Sequence, residues 1–404
     1  MNSNNLVDEQ TLMNWENEYS APVYTKRPVV IAHGKGAVLY DINGQSYIDC
    51  VGGHGVAVVG HSHPAVVDAI VEQARQLLIC PGSFYNDVRA KLLKKLDEIT
   101  PKPLSVSFLS NSGAEAIETA IKLARIYTKK KKIISTVGAF HGRTLGALSL
   151  TWRPEYRNPF QPLLPSVDFV PFGNIERIKD AIDKDTAAII VEPIQGEGGV
   201  NLPPDDFLPS LRELCDEYDV LLILDEVQTG FGRTGKMFAM EHWDVVPDIL
   251  VLAKAAAGGV PIGITMSSKE IMSAFKPATH GSTFGGNPLA ASAALAAINV
   301  IINEKLPQQA SDKGKYFIKR LEAIKQSTTI IREVRGKGLM IGVEYRFRIG
   351  ELILEALKKG ILLLTAGKNV IRLLPPLVIE YEQIDQVVSV LDELTKSFAQ
   401  KKRL

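Results

Sequence analysis

Five short apolar runs, KIISTV, DFVPF, AAIIVEP, LLILDE and ILVLAK, recur between residues 132 and 254, with helical stretches such as FLPSLRELCDEYD between several of them. Each run is nearly continuous rather than alternating, so each strand needs cover on both faces. Interleaved helices supply that cover. The pattern predicts an α/β fold with a mostly parallel central sheet flanked by helices. Upstream, SVSFLS reads as a strand leading into the amphipathic helix GAEAIETAIKLARIYT, and PAVVDAIVEQARQLL has helical apolar spacing. GAVLYDINGQSYIDC alternates around Asn43-Gly44, the signal of a tight hairpin. After NPLAASAALAAINVIIN the pattern becomes that of a smaller α+β unit. The expected division is an N-terminal segment (1–50) packing with the small domain, a large α/β domain (51–300) and a small C-terminal α+β domain (301–404).

Composition narrows the function. A net charge of +1 over 404 residues gives no electrostatic case for nucleic acid or membrane as main partner. Cys50, Cys80 and Cys215 are scattered and form no C-x-x-C pair, which argues against a disulfide framework or a structural metal site and suits a reducing cytosol. The opening MNSNNLVDEQ lacks a basic start and an apolar core, so it does not read as a signal peptide. A soluble, cytoplasmic protein is expected.

In sheets of this kind ligands bind beyond the C-terminal ends of the strands. The run LLILDEVQTGFGRTG contains G-x-G-x-x-G after an apolar strand, which would suggest a dinucleotide site. That fingerprint needs its first glycine at the strand-to-helix turn. Here Asp225 to Thr229 intervene and no long helix follows, so the glycines read as a loop. Asp225 itself ends a buried strand, where a carboxylate is costly without a partner. The next apolar run ends in Lys254, entering the small-residue turn AAAGG. Desolvation there favours the neutral amine that Schiff-base chemistry needs. An acid and a lysine on two strand tips meet the two demands of pyridoxal 5'-phosphate: a lysine for the aldehyde and a carboxylate for the ring nitrogen. A plain buried ion pair meets the same sequence constraint. The turn Ser110-Asn111-Ser112-Gly113-Ala114 at a helix start offers a phosphate site, or equally a simple Ser112 N-cap with Glu115. Ser282 and Thr283 in HGSTFGGNP could add hydroxyls, and Phe140 in GAFHGRT could stack on a ring.

With GHSHPAVVDAI, SNSGAEAIETAIKLAR, GAFHGRTLGALSLT, VEPIQGEGGV, LLILDEVQTGFGRTGKMFAMEH, PDILVLAK and GSTFGGNPLA in this order, the chain resembles the class III aminotransferases of pyridoxal phosphate fold type I. Within them it is similar to the acetylornithine aminotransferase branch. The resemblance implies that Lys254 carries the cofactor and then shuttles the proton, and that Asp225 pairs with the pyridinium nitrogen. It places Val227 and Phe140 on the two ring faces and Gln228 at the ring hydroxyl, with Glu226 grouped beside them. Ser112, Gly113 and Ala114 would hold the phosphate, helped by Thr283 from the second subunit of a homodimer. Arg143 and Arg372 would bind substrate carboxylates, Glu197 would gate Arg372, and Ser282 would touch the amino donor.

Further motifs, YIDCVGGHGVAVVGH, LSLTWRPEYRNPFQPLLP and IREVRGKGLM, resemble the aminotransferases of α-aminoadipate lysine synthesis. Those enzymes act on lysine, or also ornithine, linked to the LysW carrier protein, with glutamate and 2-oxoglutarate as the exchanging pair. An acidic carrier would meet a basic rim, for which Lys26, Arg27, Arg153, Arg157, Arg346 and Arg348 are candidates. Free acetylornithine is the close rival substrate. An aminomutase sits less well with Glu197 and Arg372, and a non-catalytic pyridoxal-binding protein sits poorly with an intact Lys254 and Asp225. The chain departs from the family pattern at AAAGG after Lys254. It also departs at His54, where ornithine δ-aminotransferases carry a tyrosine; His54 either contacts substrate or fills the pocket.

Overall fold

The computed structural model describes residues 7 to 402, so part of the stretch read for a signal peptide lies outside the described residues. Strands β1 (Ile31–Lys35), β2 (Val38–Asp41) and β3 (Ser46–Asp49) form an antiparallel ribbon. The Asn43-Gly44 turn joins β2 to β3, and Asp41 Oδ1 accepts the backbone N–H of both Asn43 and Gln45 at 2.9 Å.

Seven strands make the central sheet: β4 (Val106–Ser110), β5 (Lys132–Thr136), β6 (Val167–Val170), β7 (Thr186–Val191), β8 (Leu221–Asp225), β9 (Ile249–Leu252) and β10 (Gly263–Ser267). Their spatial order is β4-β10-β9-β8-β7-β5-β6. The pairs from β9 to β6 are parallel, while β10 is antiparallel to both β9 and β4. β7, β8 and β9 are buried along their whole length, as their continuous apolar runs require. The apolar-run pattern does not pick out β10. Its sequence GITMS mixes glycine and hydroxyl residues and follows a proline, so neither apolar continuity nor alternation marks it. It is held by pairing on both edges.

The sheet is covered by helices. Gly113–Thr128 buries Ala116, Ile117, Ala120, Ile121, Leu123 and Ala124 on one face, the stripe that 3.6-residue spacing produces. Pro288–Asn303 packs against Pro64–Gln76. Among the described residues no single helix is long and apolar enough to cross a membrane.

The C-terminal part adds β11 (Ile331–Lys337), β12 (Met340–Tyr345), β13 (Ile361–Leu362), β14 (Leu364–Ala366) and β15 (Val370–Leu373). β11-β12-β15-β14 form one antiparallel sheet, while β13 pairs in parallel with β3, Ile361 opposite Ile48. The N-terminal ribbon is thus extended by a strand some 300 residues downstream.

Candidate active site

β5, β7, β8 and β9 all end on the same edge of the sheet. β4 runs in the same sense, because two antiparallel pairings separate it from β9. The loops beyond these ends line a cavity of about 420 Å³ that includes Ser112, Gly113, Ala114, Phe140, Arg143, Glu192, Glu197, Asp225, Val227, Gln228 and Lys254, a size suited to a small organic ligand.

Asp225 ends β8 and is 4% exposed. Its Oδ2 lies 2.7 Å from His141 Nδ1, and its Oδ1 accepts the Val227 N–H at 3.0 Å. His141 is 3% exposed, and its Nε2 has no partner among the described residues. Lys254, directly after β9, donates to Gln228 Oε1 at 2.8 Å. Burial first, and Arg372 second, lower its pKa and so favour the free amine. Asp225 and Lys254 are therefore not each other's hydrogen-bonded partner, which removes the plain ion-pair reading.

The opposite wall is the start of helix Gly113–Thr128. Ser112 Oγ accepts the Glu115 N–H at 3.2 Å, so the N-cap is real. Glu115 in turn reaches back to the Asn111 N–H at 2.6 Å rather than to that of Ser112. A Cβ at Gly113 would stand 3.0 Å from Val227 Cγ1, so a larger residue would push the helix start away from the Val227 loop.

Arg372 on β15 is 1% exposed, and its Nη2 meets Glu197 Oε1 at 2.6 Å. Burial raises the Glu197 pKa, but the Arg372 charge and hydrogen bond outweigh that and hold it below its ordinary value. Among the described residues, Nε and Nη1 of Arg372 have no partner. His54 lies where Arg372, Glu197, Lys254 and Arg27 all act on it. Partial burial first, then Arg372, lowers its pKa, favouring the neutral ring.

Three expectations need correction. Glu226 does not face the cavity: its carboxylate accepts the N–H groups of Met240 (2.8 Å) and Ala239 (2.6 Å) and the Thr229 hydroxyl (2.9 Å) on the far side. Side chains alternate along an extended segment, so consecutive Asp225 and Glu226 point oppositely. Ser282, expected at the amino donor, stands in a separate hollow with Phe108, Glu118 and His280 and does not reach the Lys254 cavity of its own chain; Thr283 lies in the same hollow, which leaves its expected service from the second subunit untouched. The basic rim is also smaller than expected. Arg153 donates to the Glu197 carbonyl at 3.0 Å. Lys26 is tied to Glu16 and Ser20, and Arg157 lies 4.5 Å over Phe169. Arg346 bonds the Thr329 carbonyl in a different hollow, with Arg348 on the same loop.

The residue pattern gave no role to His141 or to Glu192. Glu192 follows β7, is 4% exposed, and accepts the N–H groups of Phe140 (3.0 Å) and Gly196 (2.9 Å). Burial pushes its pKa up to about 7. A carboxylate directly after a wholly apolar strand was a readable signal, the same one that singled out Asp225.

Removing the Glu226 side chain tests its structural role. Glu226→Ala leaves two buried N–H groups and a hydroxyl without acceptors, so stability falls by about 3 kcal/mol or more in chemical denaturation. Burial raises the Glu226 pKa to about 7 from its ordinary 4.5. The folded chain then binds the extra proton, and this contribution to stability is lost as pH rises through that interval. The variant shows a shallower decline there. Cofactor affinity of the folded variant stays near that of the parent; lost affinity at unchanged stability would return Glu226 to the cofactor site.

The residues fit pyridoxal 5'-phosphate. The helix start at Ser112-Gly113-Ala114 would take the phosphate, Val227 and Phe140 the ring faces, and Asp225 the ring nitrogen. Gln228, whose buried Nε2 has no partner, would take the ring hydroxyl, and Lys254 the aldehyde carbon. Fold and site together define a pyridoxal-phosphate-dependent transferase of fold type I. The chain belongs to the class-III aminotransferases, a family match that runs over residues 19–394.

Among its relatives, an acetylornithine aminotransferase of Methanocaldococcus jannaschii is 48% identical over 96% of this chain and 98% of its own length. A [LysW]-aminoadipate semialdehyde transaminase of Deinococcus radiodurans is 46% identical over 96% of this chain and 91% of its own. The ornithine aminotransferase structure of Toxoplasma gondii with partial pyridoxal phosphate occupancy superposes with a TM-score of 0.95 at 35% identity, covering 98% of this chain and 96% of that one.

Proposed function

We propose that the chain is an ω-aminotransferase of lysine biosynthesis, and of arginine biosynthesis where ornithine is also taken. It interconverts a LysW-linked lysine or ornithine and its semialdehyde, with 2-oxoglutarate and glutamate as the exchanging pair. The observation that carries the ω-amine reading is the Arg372–Glu197 pair at 2.6 Å beside Lys254. Paired, Arg372 is neutralised and the cavity accepts an amine that carries no carboxylate at that end. With Glu197 swung aside, the released Nη2 of Arg372, together with a neighbouring unpartnered nitrogen, offers a two-donor edge for the α-carboxylate of glutamate.

The bound cofactor supplies an electron sink for the carbon that bears the transferred amine. Asp225, held by His141, keeps a negative charge at the ring nitrogen. Phe140 and Val227 fix the ring plane. Lys254 Nζ moves the proton, and burial with the nearby Arg372 lowers its pKa toward the free amine.

The carrier-linked substrate is supported by the Deinococcus relative and by the cations Arg153 and Arg27 near Glu197 and His54. Acetylornithine is the second reading, favoured by the names of several relatives at 46 to 48% identity. Turnover of LysW-linked lysine and of free acetylornithine as amino donors is the test. The proposal expects the carrier-linked donor to have the higher kcat/KM; equal or faster turnover of acetylornithine defeats it.

A homodimer is part of the proposal. Leu78, Phe84, Tyr85 and Phe284 are exposed, and Arg89 ties the segments that carry them together through the carbonyls of Cys80 and Gly286. That surface would let Ser282 and Thr283 serve the partner's cavity. The three-part division at residues 50 and 300 and a cytoplasmic setting, in keeping with free Cys50, Cys80 and Cys215, belong to the same reading.

A further inference from the structure

Arg143 differs from the other charged groups of the cavity in having no polar partner. Arg372 has Glu197, Asp225 has His141 and Lys254 has Gln228. Arg143 is exposed on the cavity wall, and among the described residues it makes no ion pair and no hydrogen bond. Its neighbours are aromatic. The guanidinium carbon lies 3.6 Å from the Tyr156 ring centroid and 5.4 Å from that of Phe140. The two rings stand edge to face, 6.2 Å apart at 87°.

A cation stacked on a ring face is held in place by the ring's quadrupole. Stacking uses the flat face of the guanidinium and leaves the N–H groups on its edge free, whereas a carboxylate partner would occupy them. Tyr156 is itself fixed: it lies on the short helix Pro154–Arg157, against Phe140 on one side. Arg153, which donates to the Glu197 carbonyl, lies 5.8 Å from its ring.

We propose that Tyr156 is a positioning residue that sets substrate specificity: it holds Arg143 on the cavity wall with its donor edge unpaired, and so selects substrates bearing a carboxylate remote from the reacting amine. This rests on the reading of Arg143 as a carboxylate-binding residue. Tyr156 acts through Arg143 and touches no reacting atom. The ring, not the hydroxyl, does the holding, because the hydroxyl makes no hydrogen bond among the described residues.

The test compares N-acetylornithine with its decarboxylated analogue N-acetylputrescine, which keeps the same reacting amine. Holoenzyme absorbance in the amine half-reaction gives the maximal rate and half-saturation for each, even when one turns over slowly. Tyr156→Leu is expected to raise half-saturation for acetylornithine by about tenfold with little change in maximal rate, and to leave acetylputrescine unmoved. Tyr156→Phe keeps the ring and behaves as the parent. Equal losses on both amines, or unchanged half-saturation for acetylornithine in Tyr156→Leu, overturns the proposal. Arg143→Leu separates the two levels. If it leaves acetylornithine binding intact, the carboxylate reading of Arg143 fails. If it weakens acetylornithine alone while Tyr156→Leu does not, only the role of Tyr156 fails.

Discussion

Lys254→Ala is expected to lose amino transfer by about 10⁴-fold or more in kcat, because one side chain supplies both the covalent tether and the mobile proton. The fold should survive. The lysine is partly open to the cavity, and among the described residues its one hydrogen bond is to Gln228, so its removal leaves little unpaired. Circular dichroism and denaturation should match the parent, and the cofactor should still bind through the residues at its phosphate and ring, but without a covalent bond. Burial and, second, Arg372 depress the Lys254 pKa, which favours the free amine that this chemistry needs. Residual activity within tenfold of the parent would mean that another group carries the proton.

Asp225→Asn is the second large effect, with kcat expected to fall by about 10²- to 10³-fold, the range seen when a preorganised electrostatic partner is removed. The change keeps the size of the side chain and an acceptor for the Val227 N–H, so packing at the end of β8 is preserved. What goes is the charge that favours a protonated ring nitrogen, and with it the 2.7 Å pair with His141. Substrate KM should change little, since Asp225 would meet the ring nitrogen and not the substrate carboxylates. A large rise in KM with kcat unchanged would place Asp225 at the substrate instead.

The strands that build this site were legible because burial on both faces leaves a simple trace. KIISTV, AAIIVEP, LLILDE and ILVLAK each became a parallel strand, and residues that line the candidate cavity sit just past their last apolar residues. β10 was not legible, because its stability comes from pairing with β4 and β9 and not from an apolar pattern of its own. Asp225 and Lys254 could be placed by position at strand ends, whereas Gln228 came only from the family resemblance. Glu226 was misplaced because neighbouring letters say nothing about which side each faces until the strand end is built. His141 escaped for another reason: its partner, Asp225, comes from a segment 84 residues away. Glu192, by contrast, carried the same strand-end signal as Asp225, and only its bond to the Phe140 N–H depends on a distant segment. Tyr156 belongs with His141, since its contact with Arg143 depends on the turn after Leu150.

The central claim, that Lys254 is the covalent anchor of pyridoxal phosphate in a class-III aminotransferase, is tested most directly by borohydride reduction of the holoenzyme followed by peptide mapping. The account predicts one pyridoxyl group per chain, on the peptide that carries Lys254. A reduced cofactor on a different lysine, or none retained on the chain, would contradict it.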